Sequence, residues 1–366
     1  MVRTLVSLVS DQTIPNILMI KELFDQIDRY VFISTTGMEE KGCRGWIEKN
    51  LGIADRSKNI VIDAYSPVGI QKLLSENFPP ESLETVRVNV TGGTKITSLV
   101  CNEFFRGCTR YYVVTRGGNS SYIVLNTGKV NNFKTRLSVA DYLKGYGFEV
   151  RFSHHRFDAT PEYLEYLKGR MPSVMQGQAP EFRMLRSWRS KKEPKREEAP
   201  SIFEMLDELN FPYHDHAVLS KKEIQFITGD WFEDYIAMRL RKEGIVGDML
   251  ASGLHLNRDS TANEFDVVFM KDNQLYVIEC KSSVMKEDSR TILGETIYKA
   301  DSLNSRFGTF AKYFICTLDS KATLKKRSAG ELDANEKRAK LSRIKLIFGE
   351  DLADENQPLL NLLGIC

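Results

Sequence analysis

The stretch NEFDVVFMKDNQLYVIECKSS, residues 263–283, sets two apolar runs around a polar tip. Asp272 and Asn273 at this tip are residue types that tolerate positive φ, which the two-residue turn of a β-hairpin requires. Such a turn fixes the cross-strand partners and leaves both faces apolar near the tip. We therefore expect two central strands, with Val268, Met270, Leu275 and Val277 on one face and Phe265, Val267, Phe269, Tyr276, Ile278 and Cys280 on the other.

Charged residues gather at the open end of this hairpin. The same turn places Asp266 opposite Glu279, and Glu264 opposite Lys281. Two carboxylates about 5 Å apart repel by roughly 3 kcal/mol at an effective dielectric near 20, which exceeds the ~1 kcal/mol span of strand propensities. A bridging divalent cation would offset this repulsion, and Lys281 would offset part of it. The alternative is a surface hairpin with a Glu264–Lys281 pair and both carboxylates in water.

The composition is that of a folded protein rather than a disordered one. The chain has 366 residues, 42% hydrophobic and 27% charged, with a formal net charge of only +2. Any polyanion site must therefore be local. Six scattered cysteines without a CxxC pair argue against a disulfide framework or a zinc finger. No extended signal core follows Met1 and no apolar run is long enough for a membrane helix, so we expect a cytoplasmic protein.

The first 150 residues alternate short apolar strands with helical patterns. TLVSLV, YVFIST, NIVIDAY and VRVNV are typical of buried strands, and the alternation predicts an α/β domain with a mainly parallel, Rossmann-like sheet. The loops SDQTIPN (10–16) and TGGTK (91–95) should lie together at the carboxyl ends of parallel strands, where such sheets bind ligands. TGGTK matches neither common nucleotide-binding glycine motif. Amides at a helix N-terminus with Lys95 favour an anion, although a tight turn without a ligand explains the same residues.

The segment 151–220 differs in composition and predicts a connector with one or two short helices. RMLRSWRSKKEPKREEAP (183–200) holds seven basic residues, which indicate either a solvated linker or an electropositive guide for nucleic acid. A second α/β pattern, 221–366, contains the hairpin. We expect three parts: an α/β domain over 1–150, the connector over 151–220 and a second α/β domain over 221–366.

The hairpin resembles the core of the PD-(D/E)xK nuclease superfamily. Asp266 and the run Glu279-Cys280-Lys281 match its D-x(n)-(D/E)-x-K pattern, although Phe265 stands where the superfamily usually has proline. The resemblance implies a restriction-endonuclease-like α/β fold in which a preceding helix, here TGDWFEDYIAMRL (228–240), supplies the acidic residue Glu233. Asp230 and Glu233 also spell a capping box, and one residue could serve both roles.

Further catalytic residues follow from this resemblance. Lys299 in ETIYKA lies where the superfamily often has a glutamine-led element, although this chain has Glu295 there and an i,i+4 ion pair is the alternative. The resemblance implies phosphodiester hydrolysis with Mg²⁺ or Mn²⁺ held by Asp266, Glu279 and the Cys280 carbonyl, and by Glu233 directly or through water. Lys281 would orient water or stabilise developing charge.

The first domain resembles the CRISPR-associated Rossmann fold (CARF) sensor domain. SDQTIP, NVTGGTK, TGDWFEDY, NEFDVV and VIECKS occur in the order found in the cyclic-tetra-adenylate-activated Can/Card nucleases of type III CRISPR antiviral defence. The resemblance implies a homodimer that binds a cyclic oligoadenylate and then cuts DNA or RNA. The activator-binding residues it implies are Ser10, Asp11, Gln12, Thr13, Thr35, Thr36, Met38, Gly92, Gly93, Thr94, Lys95, Arg116 and Gly117.

Three rival functions remain open from the sequence. The chain could be a constitutive repair-type nuclease whose Rossmann domain only dimerises. It could also be a ligand-responsive regulator that binds nucleic acid without cutting it. A sensor domain that slowly cleaves its own activator is the third.

Overall fold

The computed structural model describes residues 2–114, 120–152, 157–177, 179–189, 191–259, 261–285, 292–308, 311–354 and 356–365. Arg116 and Gly117, two of the predicted activator-binding residues, lie outside these ranges.

The first sheet has seven strands in the order β3-β2-β1-β4-β5-β6-β7. The first five strands are parallel, and β6 and β7 continue the sheet as an antiparallel hairpin. This order reverses direction between β1 and β4, as in doubly wound nucleotide-binding sheets, so the predicted Rossmann-like sheet is confirmed. The strands are β1 (Thr4–Leu8), β2 (Arg29–Thr35), β3 (Ser57–Ile62), β4 (Val86–Asn89), β5 (Thr109–Val114), β6 (Ser121–Val124) and β7 (Lys129–Asn132).

Helices connect the strands of this sheet. The helix expected near 67–77 is present as α4, which begins with Pro67 directly after the capping hydroxyl of Ser66. Thr94 caps α5 in the same way, because its hydroxyl accepts a hydrogen bond from the Thr97 amide at 3.2 Å. The helices are α1 (Ile14–Glu22), α2 (Thr36–Glu40), α3 (Cys43–Leu51), α4 (Pro67–Asn77), α5 (Lys95–Phe104) and α6 (Val139–Gly145).

The second sheet has six strands in the order β13-β12-β11-β10-β9-β8. The strands of the opening stretch, β10 and β11, therefore occupy the centre, as the sequence predicted. The strands are β8 (Glu149–Phe152), β9 (Leu250–Arg258), β10 (Thr261–Lys271), β11 (Gln274–Lys281), β12 (Lys312–Thr317) and β13 (Ile344–Ile347).

The predicted two-residue turn of the hairpin is confirmed. Asp272 and Asn273 have φ values of +51° and +62°, and the ladder runs from the Lys271–Gln274 pair to the Val267–Ile278 pair. The two faces of the hairpin enter different cores, with Val268 on one side and Val267 on the other. Both strands are buried on both faces, which explains their nearly continuous apolar sequence.

Phe265 packs on the face opposite to the one we predicted. It belongs to the core that contains Val268, and its ring lies edge-on to that of Phe307. The pairing between β10 and β9 skips Asp266, which stands across from Gly253 with φ +57°. This local break in the pleat interrupts the alternation of side chains and turns Phe265 to the other side.

Eight further helices surround the second sheet among the described residues. They are α7 (Pro161–Gly177), α8 (Ala179–Trp188), α9 (Pro200–Glu208), α10 (Lys221–Gln225), α11 (Trp231–Lys242), α12 (Leu293–Asn304), α13 (Lys321–Leu341) and α14 (Leu359–Leu363).

The connector lies between β8 and β9 of the second sheet and contains more helix than the one or two short helices that the sequence predicted. It forms the three helices α7, α8 and α9, whose apolar faces share one core with α11 and the second sheet. Leu164, Leu167 and Met171 are buried at i, i+3 and i+7 of α7. A helical period was therefore present among the many charges, and tertiary contacts bury it.

The two sheets are joined by a continuous apolar core. One cluster of buried residues runs from α1, α3 and α6 to a face of the second sheet and to α12 and α13. The strand β8 follows α6 and pairs with β9, so it belongs to the second sheet. The division at residues 150 and 220 stays a prediction. No helix within the described ranges is both long and apolar enough to cross a membrane.

Candidate active site and sensor site

A cleft of about 750 Å³ opens at the end of the hairpin remote from its turn. It is formed by β9–β11, by α8, by the helical run α10–α11 and by α12. Its charged lining combines the five predicted catalytic residues with cations from other elements: Glu233, Asp266, Glu279, Lys281 and Lys299, with Arg186, Arg189 and Lys222. The structure thus brings all five predicted catalytic residues to one site.

The ammonium of Lys281 is the centre of this site. Its Nζ lies 3.2 Å from Asp266 Oδ2, 2.8 Å from Glu279 Oε1 and 3.2 Å from the carbonyl oxygen of Cys280. At an effective dielectric near 20, opposite unit charges 3 Å apart attract by roughly 5 kcal/mol. Lys281 therefore offsets the repulsion that we estimated between the carboxylates, and that repulsion alone does not require a metal ion.

The environment of Asp266 raises its pKa to about 6. Burial is the main cause and the charge of Glu279 the next, whereas Lys281 and the Cys280 amide act in the opposite direction. Burial by itself would lower the pKa of Lys281, but Asp266 and Glu279 raise it above its usual value. The lysine is consequently charged throughout the neutral range.

The strands separate at the catalytic end, and the predicted Glu264–Lys281 pairing is wrong. Asp266 Oδ2 accepts a hydrogen bond from the Cys280 amide at 2.7 Å, beyond the Val267–Ile278 pair with which the regular ladder ends. Glu264 instead stands opposite His255 of β9 and lies 4.0 Å from its Nε2. The carboxylates thus meet Lys281 through their side chains.

Glu233 reaches the cleft from an uninterrupted helical run. The chain is helical from Lys221 to Lys242, with one π-turn over Phe226–Asp230. Asp230 has helical dihedrals and makes no cap hydrogen bond, so the capping-box interpretation of Asp230 and Glu233 is wrong. Ser220 and Glu223 form the capping box that begins this run.

Lys299 on α12 points to the same centre. Its Nζ lies 3.4 Å from Glu279 Oε1, so Glu279 faces two ammonium groups. Lys299 is half exposed and Lys281 is largely covered. Lys299 is therefore placed to hold the Glu279 carboxylate from the solvent side.

Three of the four predicted metal ligands converge on one point: Asp266, Glu279 and the Cys280 carbonyl. Two carboxylates and one carbonyl supply hard oxygen donors of the kind that Mg²⁺ and Mn²⁺ prefer, and the Lys281 ammonium is a cation at that point. These residues fit a divalent ion, which would take the place of the ammonium. Among the described residues, no group of three or more His, Cys, Asp or Glu side chains is arranged to hold a metal. Glu233 lies in the cleft lining without completing such a group.

The sensor loops meet where the first sheet changes direction. β1 and β4 are adjacent and parallel, so the loops that follow them lie side by side. A Cβ on Gly92 would lie 2.1 Å from the carbonyl oxygen of Leu8, and Gly93 has φ +76°. Only glycine permits this approach of the two loops. Asn89 ties them together, because its buried amide donates to Asn16 Oδ1 at 2.7 Å.

The predicted activator-binding residues are not equally accessible. Asp11, Thr36, Gly93 and Lys95 are exposed, and Ser10, Gln12, Thr35, Met38 and Thr94 are half-buried. Gly92 is buried, and so is Thr13, whose hydroxyl donates to the Gly145 carbonyl at 2.6 Å. Thr13 thus anchors the loop to α6.

Four basic residues of the cleft lining were not among the predicted site residues: Arg186, Arg189, Lys222 and His255. Arg186 and Arg189 belong to the basic run of the connector, and their i,i+3 spacing on a helix was the available signal. Nothing in the local sequence marked Lys222 or His255, because only tertiary packing brings them to the carboxylates.

Fold and site together define a protein with a Rossmann-like sensor domain and a nuclease-like domain. The family model of the Card1 CARF domain matches residues 4–142, and that of the Card1-like endonuclease domain matches residues 220–359. The chain therefore belongs to the family that joins a Card1-type CARF domain to a Card1-like endonuclease domain.

Solved structures show the same overall fold. Can2 from Sulfobacillus thermosulfidooxidans, in complex with cyclic tetra-adenylate, is 23% identical with a TM-score of 0.71, over 99% of this chain and 97% of that one. Protein VC1899 from Vibrio cholerae is 16% identical with a TM-score of 0.75, over 99% and 98%. No curated protein matches the chain by sequence.

Proposed function

We propose that this protein is a metal-dependent endonuclease that a cyclic oligoadenylate activates in type III CRISPR antiviral defence. The observation that carries the proposal is the convergence of Asp266, Glu279 and the Cys280 carbonyl on the Lys281 ammonium. This cluster lies in a domain of the Card1-like endonuclease family, beneath a CARF domain. DNA, nicked or single-stranded, is the first substrate to test and single-stranded RNA the second.

Mg²⁺ or Mn²⁺ would be held by Asp266, Glu279 and the Cys280 carbonyl, with Glu233 as a further acidic group. Such an ion supplies a Lewis acid for the phosphate and lowers the pKa of a bound water. The charged Lys281 would donate to a phosphate oxygen and stabilise the charge that develops there. Lys299 would keep the Glu279 carboxylate in place.

Cyclic tetra-adenylate is the proposed activator because Can2, which has this fold, is known in complex with it. The exposed amides at the N-terminus of α5, the adjacent Lys95 and the loop Ser10–Thr13 would bind its phosphates and bases. A ring of repeated units suits a pocket built from the same loops of two chains, so we propose a homodimer, acting in the cytoplasm. Activation then requires that the ring bind the cutting-competent state more tightly than the resting state.

The test is cleavage of labelled DNA and RNA with each metal, with and without cyclic tetra-adenylate. Glu279→Gln is the test variant, and Glu264→Gln, an exposed carboxylate in the same cleft, is its matched control. We expect the first to lose roughly a thousandfold in rate, as for loss of a central electrostatic group, and the second to cut normally. Equal cutting without activator would contradict the sensor assignment, and an active Glu279→Gln would contradict the site. A wild type inert in every condition would favour a regulator that binds without cutting.

A further inference from the structure

The helix α8 contributes a basic wall to the cleft. Arg186 and Arg189 line it together with Lys222 of α10, across from Asp266 and Glu279. Both arginines lie between residues 142 and 220, outside the ranges that match the two family models. The two family assignments therefore do not account for the presence of these arginines in the cleft.

Arg186 is a cation of the cleft lining, and its hydrogen-bond partner there is a neutral hydroxyl. Its Nη2 lies 3.4 Å from the Ser282 hydroxyl, one residue beyond Lys281. In the part of the chain that the structure describes, no carboxylate lies within ion-pair distance of it. The Arg186 side chain is exposed in the cleft, so an anionic ligand can reach its guanidinium.

Arg189 stands beside it in a fixed position. Its guanidinium forms an ion pair with Asp230 and lies over Gly229, where a Cβ would come within 3.2 Å of Nη1. Asp230 ends the π-turn that precedes Glu233. The pair thus couples α8 to the helix that brings Glu233 to the cleft, and leaves Arg186 as the cation available to a ligand.

We propose that Arg186 binds a backbone phosphate of the nucleic-acid strand next to the phosphate that is cut, while Arg189 positions α8 for this contact. The inference rests on the nuclease function proposed above. A guanidinium presents a planar fork of donors that matches two phosphate oxygens, and Ser282 supplies a neutral donor beside it. The cleft volume lies within the roughly 300–1,000 Å³ of typical ligand sites, enough for a short stretch of strand.

The experiment measures binding separately from cutting. Arg186→Gln and Arg186→Lys are made in the Glu279→Gln background, with Arg183→Gln on the same helix, outside the cleft lining, as the matched control. Fluorescence anisotropy of a labelled single-stranded DNA oligonucleotide is recorded from low to moderate NaCl, with cyclic tetra-adenylate present throughout.

We expect Arg186→Gln to weaken DNA binding about tenfold to a hundredfold, the usual worth of a hydrogen bond to a charged group. The slope of log K against log salt should fall by about 0.7, the value for one phosphate of a single strand. Arg186→Lys should keep the slope and lose part of the affinity. Arg183→Gln should match the parent in both.

Two results would overturn this inference but not the proposed function. One is a wild-type DNA affinity and salt slope for Arg186→Gln, and the other is an equal loss of DNA affinity in Arg183→Gln. A thermal shift with cyclic tetra-adenylate, unchanged in Arg186→Gln, shows that a loss of DNA binding is not misfolding. If Arg186→Gln also loses the thermal shift with cyclic tetra-adenylate, the role of Arg186 is not confined to the cleft and the inference is contradicted. A protein with intact Glu279 that cuts no nucleic acid would overturn the proposed function itself.

Discussion

Asn273, at the tip of the β10–β11 hairpin, fastens the hairpin to the sensor domain. Asn273 is buried; its Oδ1 accepts from the Leu137 amide at 2.8 Å, and its Nδ2 donates to Ser120 Oγ at 2.8 Å and to the Thr135 carbonyl at 3.0 Å. The carboxylates lie at the other end of the same two strands. Replacing Asn273 by glycine keeps the positive φ of the turn and removes all three hydrogen bonds.

The cost of this change follows from the groups left without a partner. An intramolecular hydrogen bond contributes about 1 kcal/mol, and a buried group left unsatisfied costs about 1–3 kcal/mol. The Leu137 amide and the Thr135 carbonyl lose this partner, whereas the Ser120 hydroxyl keeps its bond to the Asp272 carbonyl. We therefore expect Asn273→Gly to lower the free energy of unfolding by about 3 kcal/mol. The adjacent Asp272→Asn is the matched control, because it also tolerates positive φ and loses only partly exposed ion pairs with Arg136 and Lys271, worth about 0–1 kcal/mol each.

Urea unfolding followed by tryptophan fluorescence measures both variants. The midpoint of Asn273→Gly should fall clearly below that of the wild type, and that of Asp272→Asn should stay close to it. Asn273→Asp should also be destabilised, because it keeps the acceptor for the Leu137 amide but turns an oxygen toward the Thr135 carbonyl. A loss below about 0.5 kcal/mol in Asn273→Gly, or equal losses in Asn273→Gly and Asp272→Asn, would refute the reasoning.

Three further predictions concern the site, the pH dependence and the sensor loops. Lys281→Met should lower cleavage by about a hundredfold or more, because it removes the ammonium proposed to stabilise the charge that develops on the phosphate, and Lys281→Arg should restore part of the rate in the same assay. Burial would raise the pKa of Asp141, but hydrogen bonds from Lys21 and Ser138 lower it overall. Its contribution to stability is therefore present above the pKa of an unfolded Asp, near 4, and is lost as the pH falls. Asp141→Asn should lower the free energy of unfolding, measured with urea, by about 1–2 kcal/mol at pH 7 and by much less at pH 3. Gly92→Ala should lower the free energy of unfolding in urea by several kcal/mol and abolish the thermal shift by cyclic tetra-adenylate, because its methyl group would clash with the Leu8 carbonyl. Gly45 of α3 has open space around it, so Gly45→Ala should be neutral or slightly stabilising.

Most of the hairpin could be predicted from a local sequence pattern. Asp272-Asn273 predicted the turn, and the turn predicted which residues share a face and that Asp266, Glu279 and Lys281 gather at one end. Turn chemistry acts between consecutive residues, so it can be inferred from the sequence. The face on which Phe265 packs could not be predicted in this way, because the pleat breaks opposite Gly253, a residue of another strand.

The charges of the cleft show where sequence reasoning ends. The sequence predicted a repulsion between two carboxylates and offered a cation or Lys281 to offset it. Distances alone decided that the Lys281 ammonium lies between them. Coulomb energies depend on separations across strands and on burial, and neither is encoded in spacing along the chain.

By itself, the sequence determined the two α/β patterns, the adjacent sensor loops and the register of the hairpin next to its turn, because period, turn residues and motif spacing are properties of neighbouring residues. The tertiary structure alone decided that α7–α9 form part of a core, that Arg186 and Arg189 face the carboxylates, and that Asn273 joins the hairpin to the sensor domain. The physical reason is that burial and ion pairing are set by residues distant in sequence, which only the packed chain brings into contact.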